Sequence, residues 1–392
     1  MPLSLLLSIG NFVVGLAAFS VIGLVSPIGR AFEASPEEAG AVMTWYAIAY
    51  VASPIAAALT GSASRRLVLT GGLVLLAAGA ALGALAPSLL ALKASRILVA
   101  LGAGLFTPGA AAVAVALSTP ERRARELSVV FFGLTLAQVL GVPLGSWAGY
   151  AYGFQATFWV VAGLGLLAAA ITWTVVPATL AFRPVSLATL GETLTTLHCL
   201  AAVLFTTTLV AAMYVVYTYL GPLIETRFGY GRDGVTAYLL IFGAAAVFGN
   251  FTGGFSADAI GPSRTLAIIC LTQALMLPVV AMAPLSPLAM GVAVVVWSLS
   301  GWSFMTPQQA RLVAIAPEKA PVMLSLNASA IYLGVALGSA VGGAALGRGG
   351  WTAVGLAALG TALLALAHLV WSDRLAARAR AAAVSAGTGE TA

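Results

Sequence analysis

The sequence predicts an all-α membrane protein with twelve transmembrane helices arranged as two six-helix halves. Three observations carry this. Of 392 residues, 61% are hydrophobic and only 8% charged, with a mean hydropathy of +1.03, too little charge to wet a surface of this size. Apolar runs of about twenty residues recur along the chain, each long enough to cross about 30 Å of hydrocarbon at about 1.5 Å per residue. The longest interruption between them, 177–196, divides the chain near its middle.

In chain order the first six runs are roughly 3–25, 41–60, 67–86, 91–116, 127–149 and 156–176, and the second six roughly 197–221, 235–256, 265–284, 288–314, 323–346 and 351–371, read as full spans. The first lacks a basic leader and a small-residue cleavage site and reads as a retained span. Nearly every gap is short and carries Pro, Gly or charge. The organisation is an N-terminal half (1–176), a linker (177–196), a C-terminal half (197–371) and a tail (372–392). The tail is rich in Ala, Arg, Ser and Gly and is expected to fray, with 376–384 able to continue the last helix.

The net charge of +6 sits in short basic clusters between apolar runs, so it reads as membrane topology and not as nucleic-acid binding. With the N-terminus cytoplasmic, the inner segments hold Arg65, Arg66, Arg122, Arg123, Arg125, Arg183, Arg264, Lys319, Arg374, Arg378 and Arg380. The outer segments hold Arg30, Lys93, Arg227, Arg232 and Arg348. That excess places both termini in the cytoplasm. Cys199 and Cys270 fall inside apolar runs and read as small core residues. No zinc spacing, phosphate loop or dinucleotide fingerprint is present.

The 43 glycines give several spans smooth faces, as in Gly79–Gly83 and Gly338–Gly343. Such faces allow close packing and equally allow sliding. Pro143, flanked by Gly141, Gly145 and Gly149, predicts a kinked, closely packed fifth helix, and Pro108, Pro278 and Pro307 predict further kinks. Pro307, after Ser303, Phe304, Met305 and Thr306, marks the tenth helix as irregular beside a cavity.

Arg96 lies about a turn and a half inside the fourth run. It either faces the pathway, binding polar atoms or a neighbouring helix, or snorkels outward as Lys93 does. No Asp or Glu lies deep in a run; Glu33, Glu37, Glu38, Glu121, Glu126, Glu192, Glu225, Asp233, Asp258, Glu318 and Asp373 stand at run ends. Asp258, just past the eighth run, is placed to pair with Arg264 as an inner latch, or else is a solvated loop charge. Asn11, Tyr46, Arg96, Gln138, Tyr214, Tyr217, Asn250, Trp302 and Asn327 are the candidate solute-binding residues. Most are neutral donors, acceptors and rings, which suits a neutral or amphipathic solute.

With these residues in view, the chain resembles the major facilitator superfamily over about residues 8–370. It looks closest to the twelve-span drug:proton antiporters, in the branch of arabinose or sugar efflux permeases. The resemblance lies in Gly15–Leu24, in Arg96 with Gly102 and Gly104, and in Gly141, Pro143, Gly145 and Gly149. It continues in Arg125–Pro143, Ala156–Trp159, and the loop of Gly254, Asp258, Gly261 and Arg264. It implies alternating access around a central cavity. It also implies that Arg96, Gly141, Pro143, Gly145, Gly149, Asp258 and Arg264 gate or couple transport, the fifth-helix motif closing the outer side. Two positions depart from the family. The loop Gly61–Arg66 lacks an acid, and Ala18 stands where many relatives carry an embedded Glu, which removes the usual proton site.

The expected function is efflux of a small drug-, sugar- or nucleoside-like solute from a bacterial cytoplasmic membrane, by a monomer that is not an enzyme. No cofactor or metal is expected. Ion-coupled antiport is the expected energy source, with a proton as candidate coupling ion. Uncoupled facilitated export and a non-transporting receptor or assembly protein are the alternatives. The expected partners are a small-molecule substrate and the bilayer, with no nucleic acid.

Overall fold

A computed structural model describes residues 3–60, 63–119, 122–180 and 187–389. Glu121, Arg183 and the start of the Gly61–Arg66 loop, all named above, lie outside the described residues. Among the described residues the regular structure is entirely helical. The first half comprises α1 (Leu3–Ala31), α2 (Pro36–Ala56), α3 (Arg65–Ala84), α4 (Leu89–Ala116), α5 (Arg125–Tyr152) and α6 (Phe154–Val175). The second begins with α7 (Leu197–Phe228), α8 (Arg232–Ile260), α9 (Pro262–Met282) and α10 (Pro287–Ile315). A last helical stretch, Ala320–Gly389, is interrupted at Gly349 and Gly350, where Gly350 takes φ +59° and ψ −153°. Only glycine adopts that region readily. The interruption yields α11 (320–348) and α12 (351–389), so twelve crossings result.

Three boundaries differ from the sequence expectation. α1 runs to Ala31, not 25, which brings Arg30 into its last turn. α2 begins at Pro36, not 41, because Ser35 and Glu38 form a reciprocal capping box and Pro36 needs no donor there. The tail does not fray before Gly389: no Gly or Pro interrupts 361–386, and the run is Ala-rich, so the last helix simply continues. The linker also holds a short helix, Leu187–Thr195, which Glu192 ties to Lys319 at 2.6 Å.

Proline sets the breaks in the spans. Pro27, Pro54, Pro222 and Pro307 each sit in the first turn of a restarted helical segment, beginning at Val25, Ser53, Leu220 and Met305. The first N–H groups of a helix lack partners, so proline there costs no hydrogen bond. Each proline also strips a donor from the carbonyl four residues back. Gly23 O, freed by Pro27, accepts instead from the Ser146 hydroxyl at 3.1 Å. Ser303 O, freed by Pro307, lies against Gly253, where an added Cβ would fall 2.1 Å from it. The expected irregularity of the tenth helix is thus present at Ser303–Phe304. In α5, Pro143 is accommodated by a π-helical turn, Ala137–Gly141, with Val142 N–H reaching back to Ala137 O. Helices α4 and α9 run through Pro108 and Pro278 without interruption.

Twelve crossings put both chain ends on one face, here the terminal face, with the other called the opposite face. Near the opposite face the halves pack closely: α2 on α11, α5 on α8, and the end of α1 on the end of α7. Toward the terminal face, among the described residues, α4 and α5 make no comparable packing with α8 and α10, so the halves diverge there. The structure is closed at the opposite face and open at the terminal one.

Candidate functional site

The closure of the opposite face is built from one ion pair and one aromatic wedge. Arg30 Nη1 lies 3.2 Å from Glu225 Oε1, and the Tyr150 hydroxyl donates to the same oxygen at 2.7 Å. The Arg30 guanidinium also sits 4.9 Å over the Tyr150 ring. Residues of α1 and α5 thereby hold α7 across the halves. The wedge is Tyr219, at the break of α7. Its hydroxyl donates to Ser339 O at 2.8 Å, and a Cβ at Gly40 or Gly343 would lie 2.6 Å from its oxygen. Gly40 of α2 and Gly343 of α11 are small because this ring occupies their space. Gly243 of α8 likewise abuts the π-helical turn, with an added Cβ 2.8 Å from Gln138 O. Sequence reasoning used Arg30 only for topology and did not single out Glu225 or Tyr219. The signal available was Pro222, which breaks α7 beside that tyrosine.

Arg96 does not snorkel. It is 2% exposed, and its Nη2 donates to Ala17 O at 2.6 Å, where the α-helical part of α1 gives way to the 3-10 turn Ser20–Leu24. Tyr46 and Phe158 stand 4.8 and 5.6 Å from its guanidinium carbon, while Nε has no hydrogen-bond partner. No carboxylate forms an ion pair with it among the described residues. Of the two roles open to it in the sequence, it holds a neighbouring helix: one buried charge pins α4 to the irregular part of α1.

At mid-depth, rings from both halves meet. Tyr50 of α2 and Tyr332 of α11 stack with centroids 3.7 Å apart, and Tyr46 approaches Tyr332 edge-on at 5.9 Å. Tyr214 lies beside this group, 5.4 Å from Tyr217, which stacks on Phe242 at 4.0 Å. Tyr46, Tyr214 and Tyr217 are among the candidates from the sequence; Tyr50 and Tyr332 are not. Gln138, in the π-helical turn, makes no side-chain hydrogen bond among the described residues and is 9% exposed. Trp302 is half-buried at the break of α10, with its Nε1 unpartnered. Asn250 is half-buried on α8 nearer the terminal face and hydrogen-bonds to none of these residues.

Asn11 and Asn327 act differently from the expectation that they line the pathway. Asn11 Nδ2 donates to Val130 O at 2.9 Å and its Oδ1 accepts from Thr107 at 2.8 Å, tying α1, α5 and α4. Asn327 Oδ1 accepts from Thr206 at 2.6 Å, and Gln308 Nε2 donates to Thr206 Oγ1 and Ala202 O at 2.9 Å, tying α11, α7 and α10. Each tie sits about 12 Å in from the terminal face, eight or so residues along its first helix. The two halves thus solve one problem in the same place with different residues. Buried amides satisfied in this way are structural fasteners.

Two gating expectations are corrected in detail. Gly141, Gly145 and Gly149 pack within their own half, against Leu16, Ser20 and Leu24 of α1, and not across to the second half. The register advances by four residues on each helix, which sets ridges into grooves. The cross-half contact in this region is made by the π-helical turn that Pro143 requires and by other residues of Val142–Tyr152, Tyr150 among them. Asp258 lies inside the last turn of α8, not beyond it. Both it and Arg264 are exposed and make no hydrogen bond or ion pair with one another in this terminal-open state.

Arg311 is not among the residues singled out from the sequence. It is 4% exposed, donates to Asp373 Oδ1 at 2.8 Å and Ser372 Oγ at 2.7 Å, and so bolts α10 to α12 at the terminal face. The spacing of Gln308 and Arg311, one turn apart on an apolar helix, was the available signal. Cys199 and Cys270 are buried free thiols.

Comparison with known proteins agrees with this architecture. The profile of the Major Facilitator Superfamily matches residues 7–318. The inner membrane transport protein YdhP of Escherichia coli K12 is 30% identical over 346 residues, covering 88% of this chain and 89% of that one. The MFS-type transporter YbcL of Bacillus subtilis is 29% identical, covering 86% and 87%. Among solved structures, a bacterial homolog of the human lysosomal transporter Spinster, inward-facing and unoccupied, superposes with a TM-score of 0.76. It is 17% identical and covers 96% of each chain.

Proposed function

This chain belongs to the major facilitator superfamily and is a multi-pass membrane transporter, and from that premise we propose that it exports a small neutral or amphipathic solute from the cytoplasm by alternating access. The terminal face is the cytoplasmic one, since most Lys and Arg outside the spans lie there. The observation that carries the reading is the asymmetry of closure. Arg30–Glu225 and the Tyr219 wedge seal the opposite face while the terminal side stands open, below a mid-depth group of tyrosines and uncharged amides. A solute would enter from the terminal side, the halves would rock, and the seal would part. Asp258 and Arg264 are proposed to pair as a latch only once the terminal face closes. The bilayer involved is the bacterial cytoplasmic membrane, and the working unit is a monomer that needs neither cofactor nor nucleic acid.

Ion-coupled antiport, with a proton as candidate ion, is the proposed energy source, because only an ion with different affinity for the two states can drive accumulation. Uncoupled facilitated export is the second reading. It is favoured by the absence of any Asp or Glu among the buried residues described, and by Ala18, buried on α1 where relatives carry the acid. Everted membrane vesicles, given a candidate-solute panel in the outside medium, test both. Export into the vesicle lumen is expected, growing with an imposed proton gradient. Flux that ignores the gradient selects the uncoupled carrier, and no flux of any solute against empty-vector vesicles removes the export reading.

A further inference from the structure

Tyr50 and Tyr332 form the only stacked ring pair that joins the two halves among the described residues, with 3.7 Å between centroids and 30° between planes. The pair sits at mid-depth, and α2 breaks at Ala52 immediately beside it. Alternating access requires the opposite-face portions of α2 and α11 to part, and that motion pulls Tyr50 from Tyr332. Two flat apolar faces then lose each other. A solute favours the parting only if it contacts the separated rings better than the stacked ones. A flat ring sandwiched between them does so; a polyol does not.

Two further features narrow the chemistry. The Tyr46 hydroxyl is fully buried, turned toward Tyr332, and completes no hydrogen bond of normal geometry. It therefore has a proton to offer an acceptor that enters beside Tyr332. The Arg96 guanidinium lies 4.8 Å from the Tyr46 ring centre, with no ion-pair partner among the described residues. A cationic ring would meet that uncompensated charge.

We propose that the transported solute carries a planar aromatic ring, uncharged, which takes the place of one tyrosine against the other between Tyr50 and Tyr332 and sets a hydrogen-bond acceptor on the Tyr46 hydroxyl. The proposal rests on the export reading for its direction but concerns binding alone. Sugars without an aromatic ring are thereby excluded as good substrates.

Purified protein in detergent tests it, with 4-nitrophenyl α-L-arabinopyranoside and adenosine as planar probes and methyl α-L-arabinopyranoside as the match without an aromatic ring. Ligand-dependent thermal shift gives apparent Kd. Both planar probes are expected to stabilise the protein at least tenfold more tightly than the methyl glycoside. Tyr332→Phe is expected to bind like wild type, and Tyr332→Leu at least tenfold more weakly. Equal binding of the two arabinosides, no stabilisation by either planar probe, or wild-type affinity in Tyr332→Leu overturns the proposal. Should Tyr332→Leu fail to fold, photolabelling of the wild type with 4-azidophenyl α-L-arabinopyranoside decides. Adducts in the peptides holding Tyr50 or Tyr332 support the site, and adducts only elsewhere overturn it. Binding without vesicle flux would sink export and leave the ring site standing; flux indifferent to Tyr332 would do the reverse.

Discussion

Arg30 on α1 and Glu225 on α7 form the one ion pair among the described residues that joins the two halves, at 3.2 Å. It lies at the opposite face, with Arg30 58% and Glu225 24% exposed, so water screens it and its individual contribution is modest. Tyr150 makes it more than a point contact, because its hydroxyl and ring fix the carboxylate and guanidinium together. A weak, reversible fastener is what a face that must reopen requires.

Glu225→Gln is expected to shift the equilibrium toward opening of the opposite face by roughly 0.5 kcal/mol, about a twofold change, in line with exposed ion pairs. Spin-label distances between α1 and α7 at that face would report it as a larger long-distance population. An unchanged distribution in both Glu225→Gln and Arg30→Gln would show that the wedge alone holds the seal.

Gly40→Val places side-chain carbons in the space of the Tyr219 ring, where even a Cβ would lie 2.5 Å from a ring carbon. The opposite face should then fail to close. Labelling of Asn250→Cys from the terminal side should fall at least severalfold against the same cysteine in a Gly40 background. Equal labelling would mean that α2 can dock without Tyr219.

Arg96→Ala removes the charged donor to Ala17 O, a bond of a class worth about 1.5–3 kcal/mol. Flux in vesicles at matched expression should fall at least tenfold. Arg96→Lys, which keeps a donor but not the flat guanidinium over Tyr46, should retain an intermediate rate. Wild-type flux in Arg96→Ala would end its assignment to the transport cycle.

Gln308→Ala leaves the Thr206 hydroxyl and Ala202 O without their donor in a dry interior, at a cost of about 1–3 kcal/mol. Thermal unfolding in detergent should shift downward, while affinity for solute stays unchanged. Lost affinity at preserved stability would instead move this tie into the binding site.

Asp258→Asn should leave the stability of this terminal-open state unchanged, since Asp258 makes no hydrogen bond or ion pair among the described residues, yet slow flux by disabling the proposed latch with Arg264. A disulfide between cysteines placed at 258 and 264 is not informative, as both are on adjacent helix ends. Steady-state flux compared with unfolding temperature is the discriminating pair of measurements.

Much of the fold was legible because membrane insertion acts on composition. A run of twenty apolar residues has one stable option in hydrocarbon, a helix that satisfies its own backbone. The span count and the irregular α10 followed from that rule, and Pro307 marked the last. The site was less legible. Tyr46, Tyr214 and Tyr217 were found as rings at depth, but Tyr50 and Tyr332 gained their distinction only by meeting across the halves. Asn11 and Asn327 read as ligand contacts because a sequence cannot show that Thr107 and Thr206 already occupy them. Arg311 carried no expectation until Asp373, sixty-two residues away, was brought beside it.

The sequence by itself determined that this chain crosses a membrane twelve times and where proline would interrupt the crossings. Hydrophobic length and a missing N–H are local properties, and no distant residue can alter them. Only the tertiary structure decided which face is sealed, which amides are spent on fastening, and which rings meet at the centre. Those depend on how six helices register against six others, a sum of many small contacts between residues far apart in the chain that no single segment encodes.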